Sequence, residues 1–149
     1  MKSWLQDEVL KFMKKILFVC VENAGRSQMA EAFFRKYLPS GFQPISAGTK
    51  PAGKVNPIVV QAMNEVGIDI EGNSPQNISQ QMIDEAEITV NMGCMDKESC
   101  PVLFLKDVMD WQIQDPKGKS IEEVRKIRDQ IEQKVKDFID SITIGGPVG

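Results

Sequence analysis

Histidine is absent from this 149-residue chain. Its absence excludes Ser-His-Asp and Cys-His catalysis and histidine-ligated zinc, so any general acid must be a carboxylate, a lysine or a tyrosine. Cysteine is scarce: Cys20, Cys94 and Cys100 are the whole set. Three thiols in a chain of cytosolic character point to redox or catalytic use and away from a disulfide framework. Long apolar runs are missing too, and none approaches the ~20 residues of a membrane span. Asp7, Glu8 and Lys11 break up the first fifteen residues, which therefore lack the apolar stretch of a secretory leader. A cytoplasmic protein is expected. Nor is there an excess of positive charge, the net being -3. That argues against nucleic acid or an anionic membrane as principal partner but leaves room for a local positive pocket.

What is present centres on Lys14 to Glu31. An apolar run of strand character ends at Cys20, five residues intervene, and Arg26-Ser27 open a helical pattern. A loop turning from a buried strand into a helix N-terminus points backbone N–H groups inward, where the helix dipole also favours negative charge. A thiol held there is stabilised as the reactive thiolate. Arg26 adds a planar fork able to grip two oxygens of a tetrahedral anion. A lone cysteine ending a strand is usually a small buried hydrophobe, but Asn23, Gly25, Arg26 and Ser27 are poor core fillers. Gly25 permits the backbone angles a cradle needs, and Ser27 can donate a hydrogen bond to the sulfur. Cys20 is thus the expected nucleophile, with Val21, Glu22, Asn23, Ala24, Gly25, Arg26 and Ser27 as the oxyanion-binding loop.

Periodicity predicts strands at Lys15–Cys20, Phe42–Ala47, Ile88–Met92 and Val102–Leu105. Helices are predicted at Ser27–Tyr37, Val55–Val66, Ile78–Ala86 and Ile121–Ile142, the last carrying a core-packing stripe. Strands alternating with helices imply an α/β fold, a three-layer α/β/α domain with a four-stranded parallel sheet, its site beyond the carboxyl ends of the strands. No repeat or linker divides the chain, so one domain is expected over residues 14–144. An N-terminal extension, 1–13, with short-helix character precedes it, and a disordered tail, 145–149, comes after it.

Gly48 to Lys54 has the glycine and lysine spacing of a nucleotide P-loop. Val55 stands where a magnesium-binding hydroxyl belongs and Pro51 removes an N–H donor, which excludes that use. Cys94 and Cys100 flank a segment beyond the third strand, at the same sheet edge as the Cys20 loop. They read as a zinc pair lacking a fourth ligand, as plain loop cysteines, or as partners of Cys20 in thiol–disulfide exchange, the favoured reading. Gly93, just before Cys94, would help that segment move. Asp115, held extended by Pro116, is a candidate acid.

Together these residues resemble the thioredoxin-coupled arsenate reductases of the low-molecular-weight protein tyrosine phosphatase superfamily. The resemblance covers Lys14 to Ile142. Its anchors are Cys20 to Ser27, Gln28-Met29-Ala30-Glu31, Ser46-Ala47-Gly48, Val55-Asn56-Pro57, Cys94 with Cys100-Pro101, and Trp111 with Asp115-Pro116 and Gly118-Lys119. It implies that Cys20 attacks arsenate held by Arg26 and the loop amides while Asp115 protonates the departing oxygen. Cys94 would then attack the Cys20 adduct, and Cys100 would carry the disulfide to the surface for thioredoxin. Phosphatase chemistry through a phosphocysteine would begin the same way, and a non-catalytic oxyanion-binding or redox-sensing protein would use the same cradle without a proton donor. The resemblance also implies a potassium site at Asn23, Glu31 and Ser46, but Gln76 stands where the pattern has an aspartate. The spacing of Cys94 and Cys100 is shorter than in the bacterial reductases. Glu22 would bring a negative charge to an anion pocket.

Overall fold

The computed structural model describes residues 13–93 and 108–144. Four parallel strands form one sheet in the order β2-β1-β3-β4: β1 Lys14–Cys20, β2 Phe42–Gly48, β3 Ala86–Asn91 and β4 Val108–Asp110. Ile16 to Val19 of the central β1 are wholly buried, as the continuous apolar run of a doubly covered parallel strand requires. Alternate side chains leave a strand on opposite faces, and two cores result. Ile16, Phe18 and Cys20 pack under α1 (Arg26–Lys36), α2 (Pro57–Asn64) and α4 (Ile121–Ile144). Leu17 and Val19 join Ala47, Ile83 and Ala86 on the face carrying α3 (Gln80–Glu85). This is the expected three-layer arrangement.

Caps decide where the helices begin. Asn56 accepts a hydrogen bond from the Ile58 amide at 3.1 Å with Pro57 in the first helical position, so α2 starts two residues later than periodicity predicts. Ser79 caps α3 by accepting from the Met82 amide at 3.2 Å. Ser120 accepts from the Glu123 amide, capping the start of α4, and its hydroxyl donates to the Glu123 carboxylate. The stripe of α4 predicted as core is core: Val124, Ile131 and Val135 are fully buried. Among the described residues no helix is long and apolar enough to cross a membrane.

In the third strand, pairing starts at Ala86, two residues ahead of the predicted Ile88. The described strand beside it is Val108–Asp110, whereas the predicted Val102–Leu105 lies outside the described residues, as do the N-terminal helix, the tail, Cys94 and Cys100. Immediately after β4 the chain is tied back to the sheet. The Trp111 amide donates to the Asn91 carbonyl at 2.9 Å, and the Trp111 ring sits 5.9 Å from the rings of both Phe18 and Phe138. That buried indole anchors the segment leading to Asp115.

Candidate active site

Cys20 ends β1 opposite Gly48 of β2 and is 2 % exposed. The five residues after it form a cradle because their carbonyls are drawn outward. The amides of Thr49, Lys50, Ala52 and Asn56 donate to the carbonyls of Cys20, Val21, Glu22 and Ala24 at 2.8–3.2 Å, and the Gln28 side chain donates to that of Asn23 at 3.1 Å. With the carbonyls occupied on the outside, the N–H groups are left for the inside, and a nest results. The P-loop-like segment after β2 therefore has a structural role: it is the belt around the cradle. Gly48 is required there, since a Cβ would stand 2.5 Å from the Val21 carbonyl oxygen.

Behind the sulfur lies a directed chain of hydrogen bonds with Asn23 at its centre. Asn23 is fully buried and left-handed, φ 52°, a conformation asparagine tolerates better than most residues. Its Oδ1 accepts from the backbone N–H of Gln76 at 2.9 Å, an unambiguous donor that fixes the orientation of the amide. Its Nδ2 then donates to Ser27 Oγ at 2.7 Å and Ser46 Oγ at 3.0 Å. Ser46 donates its own proton to Glu31 Oε1 at 2.6 Å. Ser27 Oγ, accepting from Asn23, also lies 2.9 Å from Cys20 Sγ, and it is the donor of that pair when the sulfur is a thiolate. The Asn23 amide adds a second donor to the sulfur at 3.2 Å.

Arg26 stands at the first position of α1, 8 % exposed. Its Nη1 donates to the Ile113 carbonyl at 3.1 Å and its Nη2 lies 3.7 Å from Asp115 Oδ2. The Asp115 segment closes over the cradle from the other side. Pro116 rests on Gly25, where a Cβ would stand 2.8 Å from its Cγ. The Lys117 amide donates to Asp115 Oδ1 at 3.0 Å, fixing the carboxylate in a turn. Between loop and lid is a small cavity, about 20 Å³, lined by Cys20, Glu22, Ala24, Gly25, Arg26, Asn56, Asp115, Pro116 and Lys117.

The structure thus brings Cys20, Arg26 and Asp115 together. Of the predicted loop, Glu22, Ala24 and Gly25 reach the cavity wall, whereas Asn23 and Ser27 stand behind the sulfur and Val21 is not on the wall. Cys94 and Cys100 lie outside the described residues, but Gly93 is described, and it lies against Arg26. Sequence reasoning quoted Asn56 within the Val55-Asn56-Pro57 anchor but not as a site residue, and it missed the pairing of Glu22 with Lys117. Lys117 Nζ donates to Glu22 Oε2 at 3.0 Å, and this carboxylate raises the pKa of Lys117. The negative charge expected at the pocket is neutralised on the spot.

Asn23, Glu31 and Ser46 also come together, as the resemblance implies for potassium. The donor set does not suit a cation: Asn23 presents amide hydrogens to both serines, and Gln76 Nε2 donates to the Ser46 carbonyl at 2.8 Å. Among the described residues no group of three or more Cys, Asp or Glu side chains could hold a metal ion.

A strand, a nested cysteine, an arginine opening the next helix and an aspartate lid define a phosphatase-type oxyanion site. The chain belongs to the low molecular weight phosphotyrosine protein phosphatase family, which it matches over residues 15–145. It is 37% identical over 129 residues to arsenate reductase 2 of Staphylococcus saprophyticus, with 86% of this chain and 98% of that protein covered. A solved arsenate reductase in its phosphate-binding state superposes with a TM-score of 0.76 at 34% identity, covering 87% of this chain and 99% of the other. The Corynebacterium glutamicum thioredoxin-dependent arsenate reductase gives 0.76 at 30% identity, covering 95% and 67%.

Proposed function

We propose that the protein reduces arsenate to arsenite through a covalent adduct on Cys20. The observation that carries this reading is the sulfur itself, faced by the Ser27 hydroxyl at 2.9 Å and the Asn23 amide at 3.2 Å inside a cradle whose mouth holds Arg26 and Asp115. Arsenate is a tetrahedral oxyanion whose oxygens suit the Arg26 fork and the backbone N–H groups of the cradle. Arg26 and the cradle amides bind its oxygens and stabilise the charge that develops as the thiolate attacks arsenic. An As–S bond forms, an As–O bond breaks, and the departing oxygen leaves as water with a proton from Asp115.

Reduction then needs two electrons from sulfur. The Cys94 thiolate attacks Cys20 Sγ, the S–S bond forms, and the As–S pair returns to arsenic, which leaves as arsenite. Cys100 attacks Cys94 next, freeing the Cys20 thiolate and producing a Cys94–Cys100 disulfide for thioredoxin to reduce. Gly93, immediately before Cys94, abuts the Arg26 guanidinium, which supports a short path from the relay segment to the adduct. The similarity to a thioredoxin-dependent arsenate reductase supports thioredoxin as donor.

The family's phosphatase character favours a second reading: hydrolysis of a phosphoester through a phosphocysteine on Cys20. Arsenite release measured with a thioredoxin system, beside p-nitrophenyl phosphate hydrolysis without reductant, separates the two. The expected result is reductant-dependent arsenite with slow ester turnover. Brisk hydrolysis with no arsenite would establish the phosphatase.

A further inference from the structure

Glu22 and Lys117 face each other across the mouth of the cavity, one from the cradle and one from the lid, 95 residues apart in sequence. Both are in reach of solvent, with the Lys117 side chain 67% exposed and that of Glu22 36%. An exposed ion pair adds little to folding. Its placement matters more. The Lys117 backbone orients Asp115, Pro116 beside it rests on Gly25, and the ammonium reaches back to the cradle to meet Glu22. A substituent on an oxyanion bound over Cys20 meets a cavity wall to which both side chains belong.

We propose that the Glu22–Lys117 pair is the specificity element of the site, admitting an unsubstituted tetrahedral oxyanion and rejecting its esters. The rejection is steric: the bridge joins two walls of a small cavity, one from the cradle and one from the lid. Its charges act on the anion itself and not on the substituent: Glu22 alone would repel a dianion and Lys117 alone would attract one, the effect being largest at low salt, and paired they cancel. The proposal rests on the oxyanion site proposed above, and the test keeps the two apart.

Protection of Cys20 from iodoacetamide by inorganic phosphate and by phenyl phosphate, in the reduced full-length protein, reads both affinities without turnover. Wild type is expected to prefer inorganic phosphate at least tenfold. Glu22→Gln should tighten phosphate binding and Lys117→Met should weaken it, each by about threefold to fivefold at low salt, for exposed charges a few ångströms from a bound anion. The double variant Glu22→Ala/Lys117→Ala should return phosphate affinity to within twofold of wild type and reduce the preference to less than threefold, through a gain in phenyl phosphate binding. Shifts of the same sign in the two single variants, or a double variant that keeps the wild-type preference, would overturn the gate. Failure of phosphate to protect wild-type Cys20 at all would overturn the oxyanion site itself.

Discussion

The Arg26 guanidinium lies close against Gly93: a Cβ at position 93 would stand 2.0 Å from Nη1 and 2.7 Å from Cζ. Gly93 also sits at φ +119°, where side chains are strained. The glycine just past β3 therefore leaves room for the guanidinium that we propose grips the anion. Gly93→Ala should push the fork out of line and cost at least one charge-assisted hydrogen bond to the anion, about tenfold or more in phosphate affinity. Calorimetric titration with phosphate measures it. An unchanged affinity would mean that Arg26 does not grip the anion.

Ser27 Oγ accepts from Asn23 and lies 2.9 Å from Cys20 Sγ, so its one proton serves a Cys20 thiolate. Ser27→Ala removes that donor at a buried position and should slow alkylation of Cys20 at neutral pH by about tenfold, the worth of one hydrogen bond to a charged group. Asn23→Ala should do the same and also destabilise the fold, by about 1–3 kcal/mol for the buried groups left unpaired. Alkylation time courses and urea melts separate the two effects.

Asp115 is half-exposed above Arg26 and held by the Lys117 amide, a position suited to proton donation and dispensable for the fold. Asp115→Asn should retain phosphate binding while slowing arsenate-driven oxidation of the thiols by about 10²-fold or more, the usual share of a positioned acid. Rapid-quench thiol counting checks it. Loss of binding and rate together would assign Asp115 to the anion clamp instead.

Far from the site, Arg125 donates to Glu65 at 2.7 and 2.9 Å and Arg128 at 2.9 Å. The Arg125 hydrogen bond first, then Arg128, lowers the Glu65 pKa from 4.5 to about 2. Because the folded-state value is depressed, the stabilisation is complete above pH about 4.5 and is lost as pH falls toward about 2. Urea midpoints of wild type and Glu65→Gln should differ at pH 6 and converge toward pH 2. A difference that persists at pH 2 would locate the effect in packing rather than charge.

Much of the fold and the site is legible in the sequence because the signals are local. The run from Ile16 to Cys20, the interval to Arg26-Ser27 and the heptad-like stripe of α4 each dictate their own structure, and the sheet and cradle result. Gln76 likewise announces a departure from a cation site, and its side-chain amide does hydrogen-bond into that place. Other features depend on the fold as a whole. The helix start at Pro57 hangs on a cap that periodicity overlooks, and Glu22 reads as a liability until the fold delivers Lys117. The belt of amides from Thr49 to Asn56 is invisible to any pattern of side chains, since only backbone groups make it. Gly93, read as a point of freedom, also makes a close approach to Arg26 that no side-chain pattern announces.

The disulfide relay stands or falls on the bridges present in the reduced protein after exposure to arsenate, mapped by mass spectrometry in wild type and in Cys100→Ser. A Cys94–Cys100 bridge is predicted in wild type, and a trapped Cys20–Cys94 bridge when Cys100 is replaced. All three cysteines recovered as free thiols in wild type, and Cys20 and Cys94 free in Cys100→Ser, with arsenate unreduced, would contradict it.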